Sequence, residues 1–481
     1  MNPLIAMAAD DLARTIHTRD ASCREVMLAY LDHIERFNPP VNAIVALRER
    51  DVLLAEADAK DAALARGHCD GWLHGVPQAP KDLAQVSGMI TTLGSPIFRD
   101  NVPDTDAIAI ARMRAAGAIF IGRTNTPEFG LGSHTFNEVY GATRNPYDLN
   151  KTAGGSSGGA AAALAMRLLP VADGSDFGGS LRNPAAFCNV YGMRPSLGRV
   201  PAGSAPERFI QQLGCEGPMG RTVKDVAMLL AIQAGYDARA PLSLAEDPAV
   251  FTHALDADMK GRRIGWLGDW RGYLPVEAGI AALCERALDA MRTIGCDVEE
   301  LAPPFAPDRL WQTWLVHRHL LVGGNLHALY QDEARRALLK PEAVWEIEGM
   351  LALSAADVYA ASVERSRWYE ALLGVFERFD YIAVPTAQVF PFDVGSRWPK
   401  TIAGVPMDTY HRWMETVCAW TLSGCPVINV PVGFNEAGLP MGMQLIGRPR
   451  GDLSVLQLAR AYERECDWVN ATLPPALGGA R

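Results

Sequence analysis

Two serines, Ser156 and Ser157, sit inside GGSSGG at residues 154–159 and lead into a run of alanines. A third, Ser180, comes twenty-four residues after Ser156 and directly follows Phe177, Gly178 and Gly179. A serine hydroxyl attacks a carbonyl only beside a group that takes its proton. Histidine is the usual partner, but none is near in sequence: His134 precedes Ser156 by twenty-two residues, and the next histidine is His253. A lysine can do the same work if it is neutral, which requires burial and neighbouring positive potential to lower its pKa. Lys81, in GVPQAPKDL, follows an apolar, proline-bearing segment and precedes Asp82.

Each stretch alone has more than one reading. GGSSG fits G-x-S-x-G, the nucleophile elbow of α/β-hydrolases. Only half of that context is present, because AAAALAM reads as a helix while the preceding NPYDLNKTA reads as a loop. In that reading Ser156 would be the nucleophile and His411 its base. Bare amides at a helix start also hold anions, although the Gly-Lys-Ser/Thr ending of a phosphate loop is missing. The simplest reading is a glycine-rich helix start with Ser156 or Ser157 as N-cap. In DFGGS, two glycines let consecutive N–H groups converge on one point, as an oxyanion hole requires; the alternative is a tight turn. The pair Lys81–Asp82 is equally compatible with a solvated surface ion pair.

The elements around these residues alternate. Residues 1–66 read as an N-terminal helical layer. Ser22 and Glu25 form a capping box, Val26, Tyr30, Ile34 and Phe37 recur at helical spacing, and Pro39-Pro40 closes the helix. Asp51 to Arg66 forms a second helix ended by Gly67. From residue 67 onward, one large domain is expected. Asp104 or Thr105 caps a helix ending at Gly117, and AIFIGR is a buried strand. LLPVAD (168–173), RIGWLG (263–268), YIAVPT (381–386), PVINVPV (426–432) and GMQLIG (442–447) are strands. Thr222 caps a helix through Gln233, residues 277–294 form another, and Asp452 begins the last. This order predicts an α/β fold around one mixed or parallel sheet. Residues 237–420 are less regular and hold most of the chain's eleven tryptophans; they are read as a substrate-facing region.

The gross numbers narrow the function. With 481 residues, 49% of them hydrophobic, the chain can bury a large core. A net charge of −10 argues against a nucleic-acid binder. Nine scattered cysteines without a CxxC pair indicate reduced thiols rather than a zinc or redox site, and there is no HExxH. No metal or cofactor is expected. Neither a signal peptide nor an apolar span of membrane length is present, so the expectation is a cytoplasmic protein without membrane or nucleic-acid partners.

Taken in order, GVPQAPKDL, TNTPEFG (124–130), NPYDL (145–149), GGSSGG, DFGGSLRNPAAF and CNVYGMRPSLGRVP resemble the amidase signature family, as do SGCPVINVPVGF and LPMGMQLIG near the C-terminus. The resemblance spans residues 67–235 and 375–465. It implies an α/β/α sandwich around a mixed sheet and a Ser–Ser–Lys triad. Carried over, Ser180 is the nucleophile, Ser156 the bridging serine on a cis peptide bond, and Lys81 the base. The N–H groups of Phe177, Gly178, Gly179 and Ser180 would form the oxyanion hole, with Ser157, Asp176 and Arg182 supporting them. Phe129, Gly130 and Leu131 would contact substrate, and Trp413 and Trp420 could line an apolar pocket. The implied activity is hydrolysis of small, uncharged, partly hydrophobic or aromatic amides, with carbamate and ester cleavage as further possibilities, by a monomer or homodimer. The related alternative is the glutaminase subunit of a tRNA-dependent amidotransferase. One departure stands at Gln78-Ala79-Pro80, where a proline without an N–H donor replaces strand-like residues.

Overall fold

A computed structural model describes residues 1–202, 207–210 and 212–478. Eight strands form its main sheet: β1 (Val171–Asp176), β2 (Tyr191–Arg194), β3 (Cys215–Gly220), β4 (Arg263–Trp266), β5 (Asp297–Glu300), β6 (Tyr381–Pro385), β7 (Val427–Phe434) and β8 (Pro440–Gly447). Their order is β1-β3-β2-β7-β8-β6-β4-β5. Pairing from β1 through β6 is antiparallel, and β6-β4 and β4-β5 are parallel. The fold is therefore mixed α/β, as the alternation of elements predicts. The central strands β7 and β8 are apolar along nearly their whole length and buried on both faces, which is why they read as continuous hydrophobic runs.

The expected helices are present with shifted boundaries. The Ser22–Glu25 capping box starts Cys23–Val41. This helix runs through Pro39 and Pro40 rather than ending there, and stops at Asn42 in the left-handed conformation, φ 52°. The second helix is Arg50–Ala65, and Gly67 follows at φ +80°. Asp104 and Thr105 cap nothing: the helix is Ile108–Ala115, with Ala107 at its N-cap position. AIFIGR is split. Ile119–Phe120 pairs in parallel with Pro77–Gln78, and Arg123–Thr124 pairs antiparallel with Ile44–Val45. LLPVAD is shifted three residues, to β1. Asp452–Glu465 is followed by a short helix, Trp468–Ala471, and a 3₁₀ turn, Pro475–Leu477.

Residues 237–420 are more regular than their sequence suggests. They supply β4, β5 and β6 and the helices Pro307–Arg318, Pro341–Ala352 and Ala355–Arg378. In the last of these only Ala361, Trp368, Leu372, Val375 and Phe376 are buried, so the apolar stripe is too sparse to show a clean helical period. Two main apolar clusters fill the molecule. One joins helices 9–17 and 23–41 to the all-buried helix Gly158–Ala165 and to β1. The other lies between β6–β8 and the tryptophan-rich helices.

Candidate active site

Lys81 follows the short strand Pro77–Gln78. Pro80 does not interrupt the pairing: its carbonyl accepts from the Thr124 N–H at 3.1 Å, and Lys81 itself bridges Thr124. The lysine is 1% exposed, and so is Asp82, so the solvated-pair reading fails. Asp82 faces Arg123 instead, at 3.7 Å. Arg123, fully buried, donates to the carbonyls of Pro80 (3.1 Å) and Lys81 (2.7 Å) and to Thr91 Oγ1 (2.7 Å). A second carboxylate, Asp173 on β1, accepts the Lys81 backbone N–H at 3.2–3.3 Å. The turn carrying the lysine is thus fixed by its main chain, which leaves the ammonium end for other partners.

Those partners are hydroxyls. Lys81 Nζ lies 2.7 Å from Ser156 Oγ, 2.8 Å from Ser157 Oγ and 3.1 Å from Ser175 Oγ. Burial in this uncharged nest pulls the lysine down to about 7, although Asp173, Asp176 and Glu216 oppose the shift. The Gly155–Ser156 peptide is cis. Ser157 occupies the N-cap position of Gly158–Ala165 but makes no capping bond; Thr135 Oγ1 accepts the Gly158 N–H at 3.2 Å in its place. The Gly159 N–H goes to the Asn125 carbonyl at 3.1 Å. With these amides already bonded within the protein, the helix start offers no open anion cradle. Gly159 is glycine because the chain passes close: a Cβ there would lie 2.3 Å from Asn125 N.

Ser180 sits just past the end of β1, 7% exposed. Asp176 organises its loop. One carboxylate oxygen accepts from Gly179 N (3.0 Å), Arg182 Nη2 (2.9 Å) and Arg194 Nη1 (3.3 Å), and the other from Leu181 N (3.1 Å) and Arg182 Nε (2.9 Å). These donors and the two guanidinium charges hold Asp176, despite its burial, well below the usual carboxylate range. This corrects one expectation. The Gly179 N–H is spent on Asp176, leaving the N–H groups of Phe177, Gly178 and Ser180 as the candidates for receiving an oxyanion. The Ser157 N–H donates to the Ser180 carbonyl at 3.2 Å, joining the two serine loops. Among the described residues no hydrogen bond links the Ser156 and Ser180 hydroxyls.

Of the expected substrate contacts, Gly130 adjoins the serines: a Cβ on it would lie 3.4 Å from Ser156 Oγ. Phe129, at φ 52°, packs edge-on against Phe98, and Leu131 is buried with Leu326, Leu329 and Leu339. Trp413 and Trp420 are core residues, packed on Phe392 and on Trp368 and Trp270 respectively. The rings beside the Ser180 loop are others. A Cβ on Gly178 would come within 3.2 Å of Trp314 and 3.5 Å of Met414, and Arg318 stacks over Phe177 at 5.2 Å. Arg318 is itself bonded to Glu346 and Tyr410, at 2.7 Å each. His411 is fully buried against Trp311 and Trp314 and hydrogen-bonds Thr409; it does not reach Ser156. The sequence reading misses Ser175, Asp173, Arg123 and Arg194. The first two lie in DGSD, a stretch in which only Asp176 stands out from the sequence.

Similarity to known proteins identifies the family. A family model for amidases matches residues 25–456. The chain is 32% identical to an acylamidase of Rhodococcus erythropolis, covering 96% of each chain. It is 34% identical to a glutamyl-tRNA(Gln) amidotransferase subunit of Methylococcus capsulatus, over 96% of this chain and 97% of that one. Its fold superposes on a bacterial aryl acylamidase of the amidase signature family with a TM-score of 0.90, at 32% identity and 98% coverage of both chains. A peptide amidase from Stenotrophomonas maltophilia follows at 0.81, with 27% identity and 98% and 99% coverage. The chain belongs to the amidase signature family and is an amide-hydrolysing enzyme.

Proposed function

We propose that the enzyme cleaves small, uncharged, partly hydrophobic or aromatic amides through an acyl-enzyme on Ser180, with Ser156 and Lys81 as its proton relay. The observation that carries this reading is Lys81 Nζ, 2.7 Å from Ser156 Oγ in a site whose burial brings the lysine to about 7. Neutral Lys81 takes a proton from Ser156 as Ser156 takes one from Ser180. Ser180 Oγ adds to the carbonyl carbon. The N–H groups of Phe177, Gly178 and Ser180 receive the oxyanion, and losing one such donor commonly costs about 3–4 kcal/mol. Collapse breaks the C–N bond, and the leaving nitrogen takes a proton from Ser156, which recovers one from Lys81 and leaves the lysine neutral again. Water then adds to the acyl-enzyme by the same relay and frees the acid. Carbamates and esters present the same carbonyl and fit the same steps.

Substrate neutrality is supported by the surroundings of the Ser180 loop. Trp314, Met414 and Phe177 are apolar, and the nearby Arg318 charge is matched by Glu346 at 2.7 Å. The likeness to an aryl acylamidase points the same way. The test is fluorophosphonate labelling with peptide mapping, followed by a panel of anilides, primary amides and carbamates. A single adduct on Ser180, lost in Ser180→Ala, is expected together with anilide turnover. An adduct on Ser156 would overturn the assignment. The second reading is a glutaminase that works within a larger amidotransferase, favoured by 34% identity to the Methylococcus capsulatus protein. Ammonia release from glutamine without anilide turnover would select it. A non-catalytic anion-binding role would show as phosphate binding without any adduct.

A further inference from the structure

The face of the sheet beneath Lys81 carries two carboxyl groups, one more than the relay and its main-chain anchor require. In the β1–β3 pairing Ser175 stands opposite Glu216, and Asp173 opposite Pro218. Directly paired residues, and residues two apart on one strand, point to the same face. Ser175 Oγ is 3.1 Å from Lys81 Nζ, and the Asp173 carboxylate accepts the Lys81 backbone N–H. Glu216 therefore shares the surface on which the lysine rests. It is the one partly exposed residue in a strand otherwise buried, and among the described residues its side chain makes no hydrogen bond.

Resting on the reading of Lys81 as the base, we propose that Glu216, together with Asp173, forms a carboxyl pair that sets the proton affinity of Lys81. Glu216 would be a positioning residue that acts on the reaction through the lysine. The charge balance around the pair supports this. Burial raises Asp173, and the Lys81 backbone N–H and the Arg123 charge oppose that by favouring its charged form, while Asp176 is matched by Arg182 and Arg194. Asp82 belongs to Arg123. Among the described residues, Lys81 is the one cation that acts on Glu216; burial and the charge of Asp173 push it up to about 7. Two like groups on one face of adjacent strands oppose each other's ionisation. While Glu216 keeps its proton, Lys81 faces one fewer anion and gives up its own proton more readily. When Glu216 ionises, its charge favours the protonated lysine.

The experiment is the pH dependence of fluorophosphonate labelling of Ser180 in wild type, Glu216→Gln, Glu216→Leu and Lys81→Ala. Both Glu216 variants remove the charge, so both should move the acidic limb to lower pH. A full unit charge about 7 Å away, the diagonal spacing on paired strands, shifts a neighbour by about 1.7 pH units at an effective dielectric of about 20. Glu216 is only partly ionised where Lys81 titrates, so the limb should move by less, on the order of one pH unit. A limb unmoved in both variants overturns the inference. So does a limb moved by Glu216→Leu alone, since that is a packing effect. Lys81→Ala separates the two levels of argument. If it labels as fast as wild type, the reading of Lys81 as base fails, and the inference fails with it. If Lys81→Ala loses the limb while Glu216→Gln leaves it in place, only the inference fails.

Discussion

Asp176→Asn is the perturbation that most directly tests how the Ser180 loop is held. The carboxylate takes five donors on its two oxygens, and its own side chain and those of Arg182 and Arg194 are completely buried. Asparagine keeps one oxygen and replaces the other with a donor. Turned the less damaging way, its NH₂ faces Leu181 N and Arg182 Nε, so two bonds are lost and two N–H groups meet a donor. Bonds to charged groups contribute about 1.5–3 kcal/mol each, which gives about 3–6 kcal/mol. Breaking one side of a buried ion pair costs about 3–5 kcal/mol, in agreement. The Arg182 bonds to Gln444 (2.6 Å), Val417 (3.1 Å) and Thr421 (3.0 Å) survive and keep the loss from growing further. Because Gly179 and Leu181 flank Ser180, the nucleophile should shift as well. Urea unfolding followed by circular dichroism, together with fluorophosphonate labelling of the folded protein, measures both effects. The expected result is a much lower midpoint and a labelling rate down at least a hundredfold. The pH dependence has a definite sign. Asp176 is depressed in the folded state, so its contribution is full above the ordinary carboxylate value near 4 and declines as pH falls further. The gap between wild type and variant should accordingly narrow below about pH 4. A variant with the wild-type midpoint and labelling rate would refute the reasoning.

Three further outcomes are expected. The neutral form of Lys81 is the active one, so Ser180 labelling should rise about tenfold from pH 6 to pH 8 for a lysine near 7 and then level off; a flat profile would contradict this. Gly159→Ala places a Cβ 2.3 Å from Asn125 N and 2.6 Å from Asn125 O, both main-chain atoms that cannot yield cheaply. It should lower stability by about 1–3 kcal/mol, read as the urea midpoint. Gly178→Ala presses on Trp314, 3.2 Å from the added Cβ, and should slow Ser180 labelling roughly tenfold, about 1.4 kcal/mol. Trp314→Phe in the same chain should restore part of the rate, and the absence of any rescue would place the clash elsewhere.

Much of the architecture was legible because it is local. The Ser22–Glu25 capping box, the Thr222 cap and the apolar runs of β6, β7 and β8 are written in contiguous residues, and each appears near its expected position. Boundaries depart from the local pattern where a distant partner takes over. The helix continues through Pro39 and Pro40, although each removes an N–H donor, and its end is set by Asn42 in the left-handed conformation. AIFIGR looks like one strand but serves two small sheets, because its two ends find different distant partners: Ile119–Phe120 pairs with Pro77–Gln78, and Arg123–Thr124 with Ile44–Val45.

By itself the sequence determined the identities of Lys81, Ser156, Ser157 and Ser180 and, through their order and spacing, the family. Only the tertiary structure decided what each hydroxyl and amide is bonded to. It made Ser157 as close to Lys81 as Ser156 is, committed the Gly179 N–H to Asp176, and turned a surface-like Lys-Asp pair into a buried amine with its acid on Arg123. It also placed Trp314 and Met414, rather than Trp413 or Trp420, beside the Ser180 loop. The physical reason is that hydrogen bonding and desolvation act over a few ångströms in space. Residues more than ninety positions apart, such as Lys81 and Ser175, become partners only when the turn after Pro77–Gln78 and the strand β1 have packed together.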